Sequence, residues 1–355
     1  MLFNADQSAV GYALDNGAVA IAATGDEDPP EARIRIQVDD GRSTIRPRSK
    51  PPEPLKVIRI GDDGEPAKLG MAGNSDFVAF GATGLFRLTP EGEKTPMEFD
   101  LSGPVAAIDY CPETGRIACV SGTRITIFDS DERAPAIRLD QGDPIAAIGF
   151  SPDGNSIAVA HNYGLTIWKA ASGEQNNRDI AFSGQPGAVH WSPDGQWIAT
   201  PLADGGFQLT RLHDGHTGQV PDYPTAVNSI AWNRQANALV TSGAFRIAAW
   251  SMDQPPVDDP ASGVLETGRA GLVAVSAVSC HPERNLVVAG YDNGFISIVQ
   301  ISGRDELVLN SEDHGAVTGL AWSRDGRRIA VATADEMAAI VSLPPQMFKG
   351  NATHR

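Results

Sequence analysis

The sequence is poor in the residues on which several classes of protein depend. It has only three cysteines in 355 residues, too few to staple a secreted fold, and Cys111, Cys119 and Cys280 lack metal-type spacing. Lysine and arginine number 28 against 44 acidic residues, which argues against binding to nucleic-acid phosphates. No apolar run approaches the roughly 18 residues of a membrane helix, and the N-terminus has no signal-like core. We therefore expect a cytoplasmic protein that binds neither nucleic acid nor membrane.

Catalytic motifs are also missing. The sequence contains no GxxxxGK, GxGxxG, GxSxG or HExxH motif. His213 and His216 have a spacing that can hold a metal, but their polar surroundings are typical of a solvated loop. We expect no catalytic residue, no cofactor and no bound metal, and predict that the protein is not an enzyme.

Glycine and proline, by contrast, are abundant, with 37 and 25 residues. Without a collagen-like period they indicate many turns between short strands. Two segments, 145–169 and 187–211, follow one pattern: an apolar strand, a Ser-Pro-Asp-Gly turn, a second apolar strand, a polar loop and a third strand. In such a turn proline presets φ, aspartate tolerates the second central position and glycine accepts a positive φ.

Related turns recur about every forty residues. If Phe150, directly before its turn, is taken as the anchor, the full set of anchors is Tyr12, Met71, Tyr110, Phe150, Trp191, Trp232, Cys280 and Trp322. The spacing is 39 to 48 residues except for a first gap of 59 residues. The two longest gaps contain inserts, one at 41–54, rich in Pro, Arg and Lys, and one at 253–262, with three Pro and three Asp.

A further short apolar run ends eleven residues before several anchors, at Ile60, Phe99 and Leu139. Four short strands in about forty residues are typical of a propeller blade. We therefore predict an all-β fold, a single β-propeller of four-stranded blades over residues 1–343, followed by a C-terminal tail at 344–355.

The eight anchors favour eight blades; the alternative is seven blades with the irregular first unit as an extension. The eighth unit ends near Leu343 with three strands. Met1–Phe3 lies nine to eleven positions before Tyr12, where a fourth strand belongs. We expect this N-terminal segment to be the outer strand of the last blade and to close the ring, which satisfies backbone groups at the junction.

These motifs resemble the WD-repeat β-propeller family over essentially the full length of the chain. The resemblance is carried by the turns at 151–154 and 192–195, by Trp168 and Trp250 at the ends of third strands, and by the turn residues Asp204, Asp292 and Asp335. Phe128-Asp129 stands where the family has Trp-Asp, and no repeat has the full His–Ser/Thr–Trp–Asp set. The resemblance implies a scaffold, monomeric by itself, that binds a protein or peptide.

In the family, loops from second to third strands share one face with loops that lead into the next blade. The resemblance makes this face the candidate partner-binding site, with His161, Tyr163, Asp204, Tyr291, Asp292, His314, Asp335 and Glu336. Tyrosine is favoured at interfaces, whereas the aspartates have the alternative role of forming their own turns. A rival hypothesis is a metal-binding or enzymatic propeller, in which His161, Asp204, Asp292 and His314 converge at the channel mouth.

Both inserts follow third strands and are expected to project from the opposite face. The first predicts a basic docking loop with Arg42, Arg46, Arg48, Lys50 and Lys56, and the second is acidic, with Asp253, Asp258 and Asp259. On a chain of net charge −16, a basic loop would attract an acidic partner. The alternative is a solvated loop without a partner.

Overall fold

Eight antiparallel sheets follow one another in the computed structural model, which describes residues 1–36, 43–61, 66–81, 84–97, 103–130, 137–182, 184–310 and 314–345. Six of the sheets have four strands and two have three, and a two-stranded hairpin lies apart from them. Over these ranges the α-helical content is a single turn, and no helix is long and apolar enough to cross a membrane.

The first four blades extend to residue 181. Their elements are β1 (Leu2–Phe3), β2 (Ala9–Ala13), β3 (Ala18–Ala23), α1 (Pro30–Arg33), β4 (Ile34–Ile36), β5 (Ser43–Ile45), β6 (Lys56–Arg59), β7 (Lys68–Ala72), β8 (Asp76–Gly81), β9 (Gly84–Leu88), β10 (Lys94–Met97), β11 (Ala107–Cys111), β12 (Arg116–Ser121), β13 (Arg124–Asp129), β14 (Ile137–Asp140), β15 (Ile145–Phe150), β16 (Ser156–His161), β17 (Gly164–Lys169) and β18 (Gln175–Ala181). The hairpin of β4 and β5 interrupts blade one between β3 and β6.

The last four blades begin at residue 190. Their strands are β19 (His190–Trp191), β20 (Trp197–Pro201), β21 (Phe207–Arg211), β22 (Thr217–Val220), β23 (Ile230–Asn233), β24 (Ala238–Thr241), β25 (Ala248–Ser251), β26 (Val275–Cys280), β27 (Leu286–Tyr291), β28 (Ile296–Gln300), β29 (Glu306–Asn310), β30 (Val317–Trp322), β31 (Arg328–Thr333) and β32 (Ala338–Ser342). Blade six has β23 to β25, with Val264 and Thr267 bridged to β25 and the turn before it, and blade eight has β30 to β32.

The first strand of each blade is its inner strand. β1 contacts β7, β7 contacts β11, β11 contacts β15 and β15 contacts β19, while β26 contacts both β23 and β30. Sheets whose first strands adjoin in this way surround a channel. The predicted all-β single propeller is therefore confirmed, with eight blades and not seven.

The predicted Ser-Pro-Asp-Gly turns link first to second strands. In blade four the Ser151 hydroxyl accepts the N–H of Ser156 at 2.9 Å, and Asp153 accepts the N–H of Asn155 at 3.1 Å. Gly154 completes the turn with φ +68°. Hydrogen bonds from Ser151 and Asn155 hold the pKa of Asp153 below its usual range, so its carboxylate stays charged in the turn.

The first blade has the same turn without its glycine and proline. Asn4 Oδ1 accepts the N–H of Ala9 at 3.0 Å, Asp6 accepts the N–H of Ser8 at 2.9 Å, and Gln7 takes the positive φ, +65°. The turn begins directly after Phe3. Phe3, and not Tyr12, is therefore the anchor of the first repeat, and Tyr12 lies in the second strand, β2.

This shift corrects the predicted role of the N-terminal segment. β1 pairs with β2 through Leu2–Gly11 and Phe3–Val10, which makes it the inner strand of blade one and not the outer strand of blade eight. The segment still lies at the closure of the ring, because Met1 packs against Gly319 of β30. Blade eight has three strands in the described residues.

Tryptophans at the anchor positions tie neighbouring blades together. The indole N–H of Trp191 donates to Gly149 O at 2.8 Å, that of Trp232 to His190 O at 3.3 Å, and that of Trp322 to Ser279 O at 3.1 Å. Each bond joins the inner strand of one blade to the inner strand of the blade before it. The tryptophan stripe is therefore part of the scaffold, since buried indole groups need such partners.

Candidate interaction surface

The predicted partner-binding residues lie on one face, in turns between second and third strands and in the loops that lead into the next blade. Six of them are exposed: Tyr163, Asp204, Asp292, His314, Asp335 and Glu336. Tyr163 is the most prominent, with 72% of its surface exposed. It follows β16 in the turn of blade four, where its ring is free to contact a partner.

The other two predicted residues, His161 and Tyr291, are buried. His161 Nε2 lies 3.0 Å from the Thr166 hydroxyl, and the Tyr291 ring packs edge-on against Phe295, with ring centroids 5.3 Å apart. Each is the last residue of a second strand, where its side chain turns into the space between strands. Both side chains are thus part of the scaffold in the structure, and contact between them and a partner stays a prediction.

Two of the exposed acidic residues, Asp335 and Asp204, lie against neighbouring loops. The Asp335 carboxylate lies against Gly315, where an added Cβ would approach within 2.6 Å, and Asp204 lies similarly against Gly184, at 2.7 Å. Each bridges a turn to the loop before its own blade. Among the residues that the structure describes, no three His, Cys, Asp or Glu side chains form a group that could hold a metal ion.

Two apolar residues that the sequence analysis missed lie on the same face at blade six. Leu272 is 96% exposed and Phe245 is 44% exposed, and Arg269 near them is also exposed. We call Phe245, Arg269 and Leu272 the blade-six patch. The available signal was a large apolar residue in each of two short loops, Ala-Phe-Arg and Gly-Leu-Val.

Backbone hydrogen bonds hold the two loops of the patch together. The N–H of Gly271 donates to Phe245 O at 2.8 Å, and that of Val275 donates to Ala244 O at 2.9 Å. Gly243, with φ +96°, makes the sharp turn that starts the first loop. The patch is therefore a fixed surface, so little conformational entropy is lost when a partner covers it.

Beside the patch lies a group of paired charges. The guanidinium of Arg304 hydrogen-bonds to Glu266 and, with a smaller contribution from the charge of Arg246, lowers the pKa of that carboxyl. Arg246 Nε is buried and has no hydrogen-bond partner within the described ranges. The patch thus combines apolar area with positive charge at its edge.

The residues that line the opposite mouth of the channel include Asp109 of β11 and His190 of β19. Burial raises the pKa of Asp109 to about 6, although Phe150 donates its N–H to Asp109 Oδ2 at 2.7 Å. Burial lowers the pKa of His190 to about 4. Both shifts arise from loss of solvent, so these residues couple the stability of the channel wall to pH.

Asp109→Asn should make the protein about 2 kcal/mol more stable at pH 7 and almost unchanged near pH 4. Because the folded pKa of Asp109 is raised to about 6 from 3.8, its contribution to stability is present below about pH 4 and is lost as the pH rises through 6. Asparagine keeps an acceptor for Phe150 without the charge. Urea unfolding of both proteins between about pH 4 and 8 measures the difference. The change of stability with pH that His190 causes is the same in both proteins and cancels in the difference. A difference in stability that does not change with pH would contradict the raised pKa of Asp109.

The first insert neutralises much of its own positive charge. Arg48 makes two hydrogen bonds to Asp26, at 2.6 and 2.9 Å, and Lys50 Nζ lies 2.8 Å from Glu27 Oε2. These carboxylates follow β3, more than twenty residues earlier in the chain, so the sequence spacing gave no sign of them. The insert therefore presents less positive charge than its composition suggests.

The other three residues of the predicted docking loop, Arg42, Arg46 and Lys56, do not take part in these ion pairs or lie outside the described residues. Lys56 belongs to β6, the outer strand of blade one, and donates to Pro90 O at 3.2 Å, so its assignment to the loop was wrong. Arg46 is exposed directly after β5. Arg42 lies outside the described residues. The docking role of the loop stays a prediction.

The acidic insert folds onto blade five and does not simply project. Val257 is buried in the core shared by blades five and six, and its backbone lies against Gly218 of β22. Asp258 Oδ1 lies 2.7 Å from His216 Nε2. One histidine of the His213/His216 pair is therefore already paired with a carboxylate of the insert. Beside the insert, Trp197, Trp232 and Met252 line a shallow cleft.

Comparisons with known proteins agree with this architecture, that of a β-propeller. Residues 306–340, which run from β29 to β32, match the family model described as WD domain, G-beta repeat. Together with the eight-bladed fold, this match confirms the resemblance to WD-repeat β-propellers that the turn motifs predicted.

Half of the chain also resembles a named group of proteins. Over 191 residues it is 25% identical to the eukaryotic translation initiation factor 3 subunit I of Drosophila grimshawi, an alignment that covers 49% of this chain and 56% of that protein. The protein of the same name from Neurospora crassa is 24% identical over 203 residues, 52% of this chain and 56% of its own length. The chain thus spans little more than half the length of these curated relatives.

Proposed function

We propose that this protein is a non-catalytic scaffold that binds a protein or peptide partner on the face that carries the blade-six patch. The observation that carries the proposal is Leu272, almost fully exposed next to Phe245 in loops that backbone hydrogen bonds hold in place. Single exposed apolar residues are common on protein surfaces. An exposed aromatic ring, a leucine and an arginine on one fixed surface have the composition of an interface core.

The relatives support the same proposal. Their name is that of one subunit of an initiation factor, and a subunit functions in contact with other chains. We also propose that this protein acts in the cytoplasm, which the names of the relatives support, and that it is a monomer until its partner binds. Tyr163 and the exposed Asp204, Asp292 and Asp335 would form the polar rim of the contact.

The proposal is tested by affinity capture with the tagged full-length chain and its Leu272→Asp variant. A charge at the centre of an apolar contact leaves an unpaired group at the interface. The captured amount of at least one protein that binds the wild-type chain should therefore fall about tenfold or more with the variant. Mass spectrometry of the captured proteins, quantified against the wild type, measures the loss.

Val57→Asp is the matched control. Val57 is also exposed, at 64%, but lies on β6, the outer strand of blade one, away from the patch. The control should capture the same proteins as the wild-type chain, and both variants should melt like it. Identical sets of proteins from Leu272→Asp and wild type would show that the patch is not the binding surface.

A further inference from the structure

The third strand of blade eight is uncovered where its counterparts are covered. In blade seven, β28 lies between β27 and β29, and four of its five residues are buried. In blade eight, β32 pairs with β31 alone among the described residues, and none of its five residues is buried. Within the described part of the chain, the five residues of β32 are half-buried and no strand pairs with its outer edge.

The two blades can be aligned through their turns. Tyr291 donates its N–H to Phe295 O at 3.0 Å, and Thr333 donates its N–H to Met337 O at 3.0 Å. Met337 is therefore the equivalent of Phe295, and Ala338 corresponds to Ile296 of β28. In blade seven, Ile296 pairs with Asn310 and Ile298 with Leu307 of the outer strand β29.

The backbone directions along β32 follow from the bonds at its two ends. Met337 O bonds to Thr333, and Leu343 N–H donates to Arg327 O at 2.8 Å, so the odd-numbered residues bond towards β31. Because these directions alternate along a strand, the N–H and C=O groups of Ala338, Ile340 and Ser342 point to the open side. An edge of this kind is a template for another strand.

We propose that β32 accepts an extended segment of a partner protein as the fourth strand of blade eight. The segment would run antiparallel to β32 over four or five residues, the length of the outer strands β10, β14, β22 and β29. Ala338 replaces the larger Ile296, which leaves room for a bulky β-branched or aromatic side chain of the incoming strand.

Charges at the two ends of β32 define the chemistry of the partner. Asp335 and Glu336 are exposed before its first residue, and Arg327 is exposed beside its last. An antiparallel segment meets Arg327 with its N-terminal end and the two carboxylates with its C-terminal end. We therefore expect acidic residues before the partner strand and lysine or arginine after it.

Two other occupants are less favoured. The first is the chain's own segment after Pro345. In the other blades the outer strand begins about six residues after the third strand, and at that spacing its middle would fall on Gly350 and Asn351, which are both poor strand formers. A second copy would pair β32 with β32, which brings the acidic end of each strand to the Arg327 end of the other. This arrangement buries only two short edges, a small area for a stable dimer.

The probe is a fluorescein-labelled peptide, EEVTITVKK, added to the full-length chain and followed by fluorescence anisotropy. We expect binding below about 100 μM. Two matched peptides carry N-methyl groups either on V3, I5 and V7 or on T4 and T6, which removes the N–H groups along one edge only. One of them should bind like the parent peptide and the other about tenfold or more weakly, since hydrogen bonds of about 1 kcal/mol each are lost.

Protein variants separate this site from the blade-six patch. Ser342→Pro removes an N–H on the open side and should weaken peptide binding without lowering the melting temperature, because proline is tolerated at such an edge. Leu272→Asp should bind the peptide like the wild-type chain. No binding, or equal losses with both N-methylated peptides, would overturn the proposal. A dimer in sedimentation without peptide would overturn it too, in favour of a second copy.

Discussion

Gly154→Ala should lower the free energy of unfolding by about 3 kcal/mol, and Gly195→Ala by only about 1 kcal/mol. Both glycines occupy the same turn position, with φ of +68° and +69°, so alanine is strained to the same extent in each. They differ in their neighbours. A Cβ at 154 would lie 2.5 Å from Thr114 Cγ2 and 2.6 Å from Cys111 Sγ, whereas the nearest atom at 195 is 3.8 Å away, in Pro152.

Urea unfolding of the two variants separates backbone strain from overpacking. The double variant Gly154→Ala/Thr114→Ser removes the methyl group that the new Cβ would meet. It should recover part of the loss, about 1 kcal/mol, if crowding by the neighbouring blade is the cause. Equal losses at 154 and 195 would mean that the two turns are packed alike and that the close approach of blade three to blade four is wrong.

Phe3→Ala should cost about 3 to 5 kcal/mol, the usual range for a buried phenylalanine. Phe3 is buried at the junction of blades one and eight, in a cluster with Val10, Tyr12, Ala20 and Ala330. The substitution therefore removes packing between the first and the last blade, where the ring closes. The Tyr12 hydroxyl, which donates to Ala339 O at 3.0 Å across the same junction, would lose part of its support.

Phe245→Ala is the matched control, because Phe245 is a partly exposed phenylalanine in a loop. It should change stability by less than about 0.5 kcal/mol. The midpoint and slope of urea unfolding give both values. A loss below about 1 kcal/mol for Phe3→Ala would show that β1 is not an integral strand of the ring.

The repeat could be predicted from the sequence because one turn recurs with fixed chemistry. Serine, aspartate and glycine, which each satisfy a separate backbone requirement, occur together after Phe150, Trp191 and Trp322. The period of about forty residues then locates the other four anchors that lie on inner strands, Met71, Tyr110, Trp232 and Cys280. The anchor of the first repeat was missed because Asn4 replaces the serine and Gln7 replaces the glycine, while the hydrogen bonds stay the same. That one error moved the anchor by a strand and put Met1–Phe3 in the wrong blade.

The candidate surface was predictable only as a set of loops. Burial depends on where the strand ends, which the sequence pattern does not locate to the residue. Tyr291, the last residue of β27, is buried, whereas Tyr163, two residues beyond the end of β16, is exposed. The pairing of Arg48 with Asp26 depends on how the insert folds back. Such contacts between distant residues leave no periodic signal in the sequence.

The turns that make each repeat recognisable lie on the face opposite the blade-six patch. There Gly154 fits against blade three and Gly326 against His281 of blade seven, so those residues serve the assembly of the ring. The loops of the other face carry the exposed side chains of the candidate surface. Sequence similarity in the repeat motif therefore shows that two proteins share the propeller scaffold. Two propellers can have the same residues in every turn and still bind different partners through the loops of the other face.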